Sequence, residues 1–377
     1  MTGKLVAIKV GTRSLTKEDG SLDLVEMRRL VDDIAGIMQK GNKVILVTSG
    51  AIASGIAELG VKPNPKDIVF RQACAATGQS ILMSHYREFF RHHGLKVAQV
   101  LLTENDLSNR ISYIHTCNVL DRLLQIGVVP IINENDVTSV NEIIPVMKGF
   151  KVNFSDNDIL SVLIAHAVEA DLVIILSTVE GLYSKNPEKP EAQLVPVVEK
   201  ITPELREATE GKSRLGRGGM KTKLEAAEMA MRSGIPLVVA NSRRPNVILD
   251  ILDGKRVGTY FKPDSKGLPS IKRWIGYGAG IKGQIHVNKG AENAILKGAS
   301  LLAVGIEAVS GQFQVGDVVG LIDPEGDEFA KGIVNYTSEE INQIKGMDTS
   351  SIKKALGYIR QKEIIIRKRM HLTEKEA

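Results

Sequence analysis

Cysteine is almost missing from this chain: Cys74 and Cys117 are the only two in 377 residues. Both fall in helical-looking stretches, so neither a disulfide framework nor a four-cysteine zinc site can be assembled from them, and the cytosol is the expected compartment. Aromatic residues make up 4% of the chain, with one tryptophan, which is a poor composition for a surface that must stack on nucleic-acid bases. No apolar run approaches the length of a membrane span. The N-terminal run is cut short by Lys9 and Gly11, so the layout of a signal peptide is lacking. Charge is not extreme: a net +5 and a pI near 9.0 suit anionic metabolites or nucleic acid and compel neither.

What is present is an ordinary globular composition, 43% hydrophobic and 25% charged, in a chain long enough for two domains. The first of them is expected over residues 1–262. Its β-branched runs Leu5–Val10, Lys43–Val47, Val97–Leu102, Val128–Ile132, Asp171–Leu176 and Leu237–Ala240 alternate with helical patterns. One such pattern is Met27, Leu30, Val31, Ile34 and Ile37, stopped by Gly41. Strand, helix, strand in this rhythm predicts a parallel sheet covered by helices on both faces.

The polar residues collect where these runs end. Lys9 closes the first strand, where its stem either snorkels to solvent or fixes a positive charge at the carboxyl edge of the sheet, the edge at which open α/β folds bind ligands. Thr48-Ser49-Gly50-Ala51 follows the second strand and opens a helix with small residues, a place that attracts anions. Asn133-Glu134-Asn135-Asp136 follows the fourth. Phe154-Ser155-Asp156-Asn157-Asp158 then abuts the apolar helix Ile159–Ile164. Ser155 or Asp156 would serve as an ordinary helix cap; three polar residues in a row equally suit a metal, lysine or ligand site. Leu215–Lys223 is glycine-rich and precedes another helix, either as a solvated loop or as a nest of backbone donors around phosphates. Gly211-Lys212-Ser213 imitates the end of a Walker A loop, but Arg206 stands where its first glycine is required. His85, His92 and His93 lack the spacing of a zinc site and read as surface or packing residues.

Taken in order, Ala7-Ile8-Lys9-Val10-Gly11-Thr12, Val47-Thr48-Ser49-Gly50-Ala51, Ile132-Asn133-Glu134-Asn135-Asp136, Asp156-Asn157-Asp158 and Gly218-Gly219-Met220 with Lys223 resemble the amino acid kinase family, in particular its members that act on free glutamate. The resemblance covers nearly the whole chain. It implies a three-layer α/β/α fold with a mostly parallel sheet. It implies ATP with Mg²⁺ as cofactors, and transfer of a phosphoryl group to the γ-carboxylate of L-glutamate at the head of proline biosynthesis. Residue by residue, it implies that Lys9, Lys223 and Asp158 form the catalytic set, the carboxylate organising the two lysines. Ser49, Asp136 and Asn157 would bind glutamate, supported by Asn133 and Asp156. Gly11, Ser177, Thr178, Gly216, Arg217, Gly218, Gly219, Met220, Lys221 and Thr222 would join the lysines around ATP; no residue is assigned as a metal ligand, and Asp156 and Asp158 read as holders of lysine or Mg²⁺ and not as proton acceptors. Inhibition by proline and a homodimer or homotetramer are typical of such enzymes. Sibling kinases acting on acetylglutamate or aspartate share the fold, but the paired motifs at 133–136 and 156–158 favour free glutamate. The chain departs from the pattern at Ser155, usually glycine, at Ser177-Thr178, usually Thr-Asp, at Arg217, commonly threonine, and in a longer loop at 142–152.

The residue types suit the chemistry without the family. A side-chain carboxylate with an ordinary pKa near 4.3 is ionised at neutral pH, so the acceptor needs no general base. It needs relief from its repulsion by an anionic phosphate, which positive charge and positioning supply.

Beyond a polar linker at 263–273, short strands broken by glycine turns are expected over 274–372, with a tail at 373–377. They are read at Val287–Gly290, Lys297–Leu302, Val304–Ile306, Gly311–Phe313, Gly316–Val319 and Ile364–Ile366. This part resembles a PUA domain, a small β-barrel module that binds RNA elsewhere. Arg367-Lys368-Arg369 on an apolar strand reads as a solvated edge more readily than as a nucleic-acid patch.

Overall fold

A computed structural model describes residues 3–62, 64, 66–139, 157–185, 191–209, 219–264, 275 and 279–373. The chain divides into two compact units, one drawn from residues before 268 and the other from residues after it together with 107–113. The expected linker at 263–273, the loop at 142–152, Ser155, Asp156 and Gly216–Gly218 lie largely or wholly outside the described residues.

In the first unit eight strands form one sheet: β1 (Leu5–Val10), β2 (Lys43–Val47), β3 (Lys96–Leu102), β4 (Val128–Glu134), β5 (Leu172–Ser177), β6 (Val197–Val198), β7 (Leu237–Asn241) and β8 (Thr259–Phe261). Their spatial order is β3-β4-β2-β1-β5-β7-β8-β6. The first six in that order run parallel, β8 is antiparallel to β7, and β6 follows β8. The central strands are apolar without alternation because both faces are covered: Val6, Ala7 and Ile8 are fully buried, as are Ile45, Leu46 and Val47. The covering helices are α1 (Thr12–Leu15), α2 (Leu24–Gln39), α3 (Ala51–Leu59), α4 (Ile68–His92), α5 (Glu104–Ser108), α6 (Arg110–Gln125), α7 (Asn157–Ala167), α8 (Pro203–Thr209), α9 (Met220–Arg232) and α10 (Val247–Leu252).

Local sequence explains where these elements begin and what they bury. Asp23 starts α2 by accepting the Val25 and Glu26 N–H groups, and Met27, Val31, Ile34 and Ile37 then form its fully buried stripe. Helix α7 is buried from Asp158 to His166, so any charge it carries must be neutralised inside the protein. Helices α3 and α4 touch backbone to backbone. A Cβ on Gly55 would lie 1.8 Å from the Cys74 carbonyl oxygen, and one on Gly78 would lie 1.9 Å from that of Ala51. Only glycine fits at either place, and the close approach brings α4 against the loop that leaves β2.

Strand β1 lies between β2 and β5, and the chain leaves it toward β2 first and reaches β5 only later. Such a switch of direction opens a crevice at the carboxyl ends of the strands, because the connections diverge to either side. Lys9, paired in register with Val47 and Ile175, stands at that edge.

The second unit carries β9 (Ile281–Val287), β10 (Ile306–Gly311), β11 (Val318–Ile322), β12 (Glu328–Ile333) and β13 (Met370–Leu372) in the order β10-β9-β11-β12-β13. All neighbours are antiparallel except β9 and β11. Several expected strands are something else. After Val287 the chain enters a helix, Lys289–Leu296, because the Asn288 side chain accepts the Ala291 N–H and caps it. Residues 303–305 form a 3-10 turn, and Ile365 makes a single bridge to Leu301. Ile364 and Ile365 are drawn into the core instead, and Arg367–Arg369 form a 3-10 turn in which the Arg367 guanidinium donates to the Met370 carbonyl. Helices Ser338–Ile344 and Thr349–Leu356 were not read from the sequence. The first of them has a plain signal, the capping box of Thr337 and Glu340.

Candidate active site

A cleft of about 510 Å³ opens at the carboxyl ends of β1, β2, β4 and β5. Its floor is a charged triad. Lys9 Nζ lies 2.6 Å from Asp158 Oδ1, and Lys223 Nζ lies 3.0 Å from Asp158 Oδ2. The Thr222 hydroxyl donates to the same Oδ2 at 3.2 Å. Lys9 is 4% exposed, Lys223 5% and Asp158 0%. Lys9 therefore does not snorkel. Burial alone would raise the Asp158 carboxyl, but the two ammonium groups outweigh it and hold the pKa below the ordinary carboxylate value. One carboxylate between two ammonium groups leaves a net positive site, and the lysines, not Asp158, line the cleft.

Three elements converge on this point. Lys9 ends β1, Asp158 stands in the first turn of α7, and Lys223 stands in the first turn of α9. Gly11 lies beside the Lys9 ammonium group and lines the same cleft. Helix α9 starts at Gly219, which supplies no side-chain cap. Its first N–H groups thus lack a partner from the N-cap side chain beside a pair of lysines, an arrangement that favours an anion.

A second cluster lies toward β2 and β4. Asn157 Nδ2 donates to the Thr48 carbonyl at 2.7 Å, to Ser49 Oγ at 2.8 Å and to Asn133 Oδ1 at 3.2 Å. Asp136, Glu134 and Arg71 line the same end of the cleft. Burial pushes the Asp136 carboxyl up to about 6, with Arg71 pulling it down. Burial likewise pushes Glu134 up to about 7, against a hydrogen bond from the Ser139 hydroxyl.

The structure thus brings Lys9, Gly11, Ser49, Asn133, Asp136, Asn157, Ser177, Thr178 and Lys223 to one cleft, with Asp158 beneath it. Gly219, Met220 and Thr222 flank it at the start of α9, whereas Lys221 is exposed and is not among the lining residues. Sequence reasoning missed Arg71 and Glu134. Arg71 sits on a helix with the look of a solvated face, and Glu134 was read only as part of an acidic run. Among the described residues, no group of three histidine, cysteine or carboxylate ligands close enough to share a cation lies at the cleft.

Residues 4–241 match the model of the amino acid kinase family. The chain belongs to the amino acid kinase family. Beyond this kinase region, residues 283–356 match the PUA domain. A glutamate 5-kinase of Thermoanaerobacter sp. (strain X514) is 42% identical over 373 residues, spanning 98% of each chain. A glutamate 5-kinase of Methanosarcina barkeri (strain Fusaro / DSM 804) is 43% identical over 378 residues, spanning 98% of this chain and 96% of its own length. Among solved structures, carbamate kinase from Giardia lamblia bound to AMP-PNP covers 70% of this chain and 99% of its own at 18% identity, with a TM-score of 0.48. No helix among the described residues of this family member is long and apolar enough to cross a membrane.

Proposed function

We propose that this chain is a glutamate 5-kinase, transferring the γ-phosphoryl group of ATP to the γ-carboxylate of L-glutamate to give L-glutamyl 5-phosphate, the first step of proline biosynthesis. The observation that carries this is the pair of lysines held on Asp158 beside a pocket with both an acidic and a basic end, in a chain matched end to end by relatives of that name. Free glutamate has two carboxylates and one ammonium. Asp136 suits the ammonium, and Arg71 suits the α-carboxylate. The γ-carboxylate then faces Lys9 and Lys223, whose surplus positive charge lowers its repulsion from the phosphate. Asp158 is no general base here, because its lowered pKa makes the carboxylate a weak proton acceptor; it holds both ammonium groups in place. Mg²⁺, entering on the nucleotide, would supply further positive charge at the phosphates.

The test is to trap the acyl phosphate with hydroxylamine. The expected result is γ-glutamyl hydroxamate that requires ATP, Mg²⁺ and L-glutamate together. Hydroxamate from another acid but none from glutamate would move the assignment to a sibling kinase.

A pH dependence follows from the raised carboxyl of Asp136. Below its pKa of about 6 the group is neutral in the free enzyme and cannot pair with an ammonium. The KM for glutamate is expected to rise as pH falls, approaching about tenfold per unit below that point. Asp136→Asn should have a high KM with a shallower pH dependence, what remains following Glu134, whose carboxyl is pushed up to about 7 at the same end of the cleft. In the free protein the sign is opposite: a raised carboxyl contributes stability in full below its ordinary pKa of 3.8, and this is lost as pH rises through about 6. A flat KM between pH 7.5 and 5 in the parent enzyme would remove Asp136 from the ammonium site.

A further inference from the structure

Helix α4 reaches the cleft directly through Arg71 and indirectly through two further residues, Gln79 and Tyr86, that are not among those lining it. Gln79 Oε1 accepts from Asn133 Nδ2 at 3.0 Å, and the Tyr86 hydroxyl meets that of Thr48 at 2.8 Å. Asn133 Oδ1 and the Thr48 carbonyl in turn face Asn157 Nδ2, whose two hydrogens are shared among them and Ser49 Oγ.

The direction of each amide in this relay is fixed by groups that can play only one role. The Glu134 backbone N–H can only donate, and it lies 2.9 Å from Asn133 Oδ1. Asn133 must therefore turn Nδ2 toward α4, where a buried donor needs an acceptor. Gln79, itself 8% exposed, supplies one. The Thr48 carbonyl can only accept, so Asn157 offers it Nδ2, and the same Nδ2 donates to Ser49 Oγ. A serine oxygen that already accepts keeps its proton for another partner, and Ser49 lines the cleft.

We propose that Gln79 is a positioning residue of the substrate pocket: its carbonyl heads a one-way relay through Asn133 and Asn157 that leaves the Ser49 hydroxyl as a hydrogen-bond donor to a carboxylate of the substrate. This rests on the glutamate kinase assignment for the identity of that carboxylate but not for the direction of the relay.

Two variants of the full-length chain separate positioning from packing. Gln79→Met keeps the length of the side chain and removes the acceptor; Gln79→Leu removes it with a branched apolar side chain. Either is expected to raise the KM for glutamate about tenfold with the KM for ATP unchanged. In a Ser49→Ala background, Gln79→Met should add nothing further. A folded Gln79→Met or Gln79→Leu enzyme with the parental KM overturns the proposal, and so does a further rise in KM when Gln79→Met is added to Ser49→Ala. The ratios are read with whichever acid the parent enzyme phosphorylates in the hydroxylamine assay. Loss of the glutamate assignment and loss of the relay therefore give different results.

Discussion

Lys223→Met is expected to lower kcat on the order of 10³-fold while the protein stays folded, since one preorganised charge at a developing anion is worth about that much. The fold survives because methionine fills most of the space of the lysine stem and because Asp158 is not stranded. It keeps Lys9 at 2.6 Å and the Thr222 hydroxyl at 3.2 Å. Turnover fails because the site drops from net positive to neutral just where an anionic nucleophile meets an anionic phosphate. The hydroxamate rate gives the first quantity and a thermal melt the second. An enzyme with near-parental kcat would take Lys223 out of the mechanism.

Removing the carboxylate should have the opposite balance of effects. In Asp158→Leu, two ammonium groups at 4% and 5% exposure lose the carboxylate that pairs with both and face each other. Stranding a buried charge costs about 3–5 kcal/mol, which for a unit of this size lowers the melting temperature by roughly 10 °C. Activity falls as well, but here the loss of stability is the signature. Asp158→Asn adds a check on sign. The depressed pKa of Asp158 means that its contribution is complete above the ordinary value of 3.8 and disappears as pH falls through its lower folded value. The asparagine variant should lack that acid-sensitive part of the stability profile. A leucine variant melting within 2 °C of the parent would show that the lysines do not depend on this carboxylate.

How legible the site was in the sequence depended on whether a residue's role is set locally. Lys9, Ser49, Asn133 and Asp136 could be found because each follows an apolar strand, and the ends of parallel strands meet at one edge. That Lys9 and Lys223 share one carboxylate could not be derived from spacing, because the register of β1 against β5 and the packing of α7 on α9 decide it. Arg71 and Gln79 were invisible for a related reason. A polar residue on a long amphipathic helix is normally solvated, and only the glycine contacts of α3 and α4 bring this one against the pocket. In the second unit the apolar run Ile364–Ile366 pointed to a strand, yet burial of Ile364 and Ile365 in the core was satisfied without pairing along its length. Alternation and apolarity identify what is buried there, not what it is hydrogen-bonded to.

The triad also ties distant parts of the chain to one another. Lys9 ends β1, whereas Asp158 and Lys223 arrive with α7 and α9, so the pairing exists only when all three elements have packed. Loosening either helix separates a buried charge from its partner, which makes the chemistry of the cleft and the stability of the first unit depend on the same contacts.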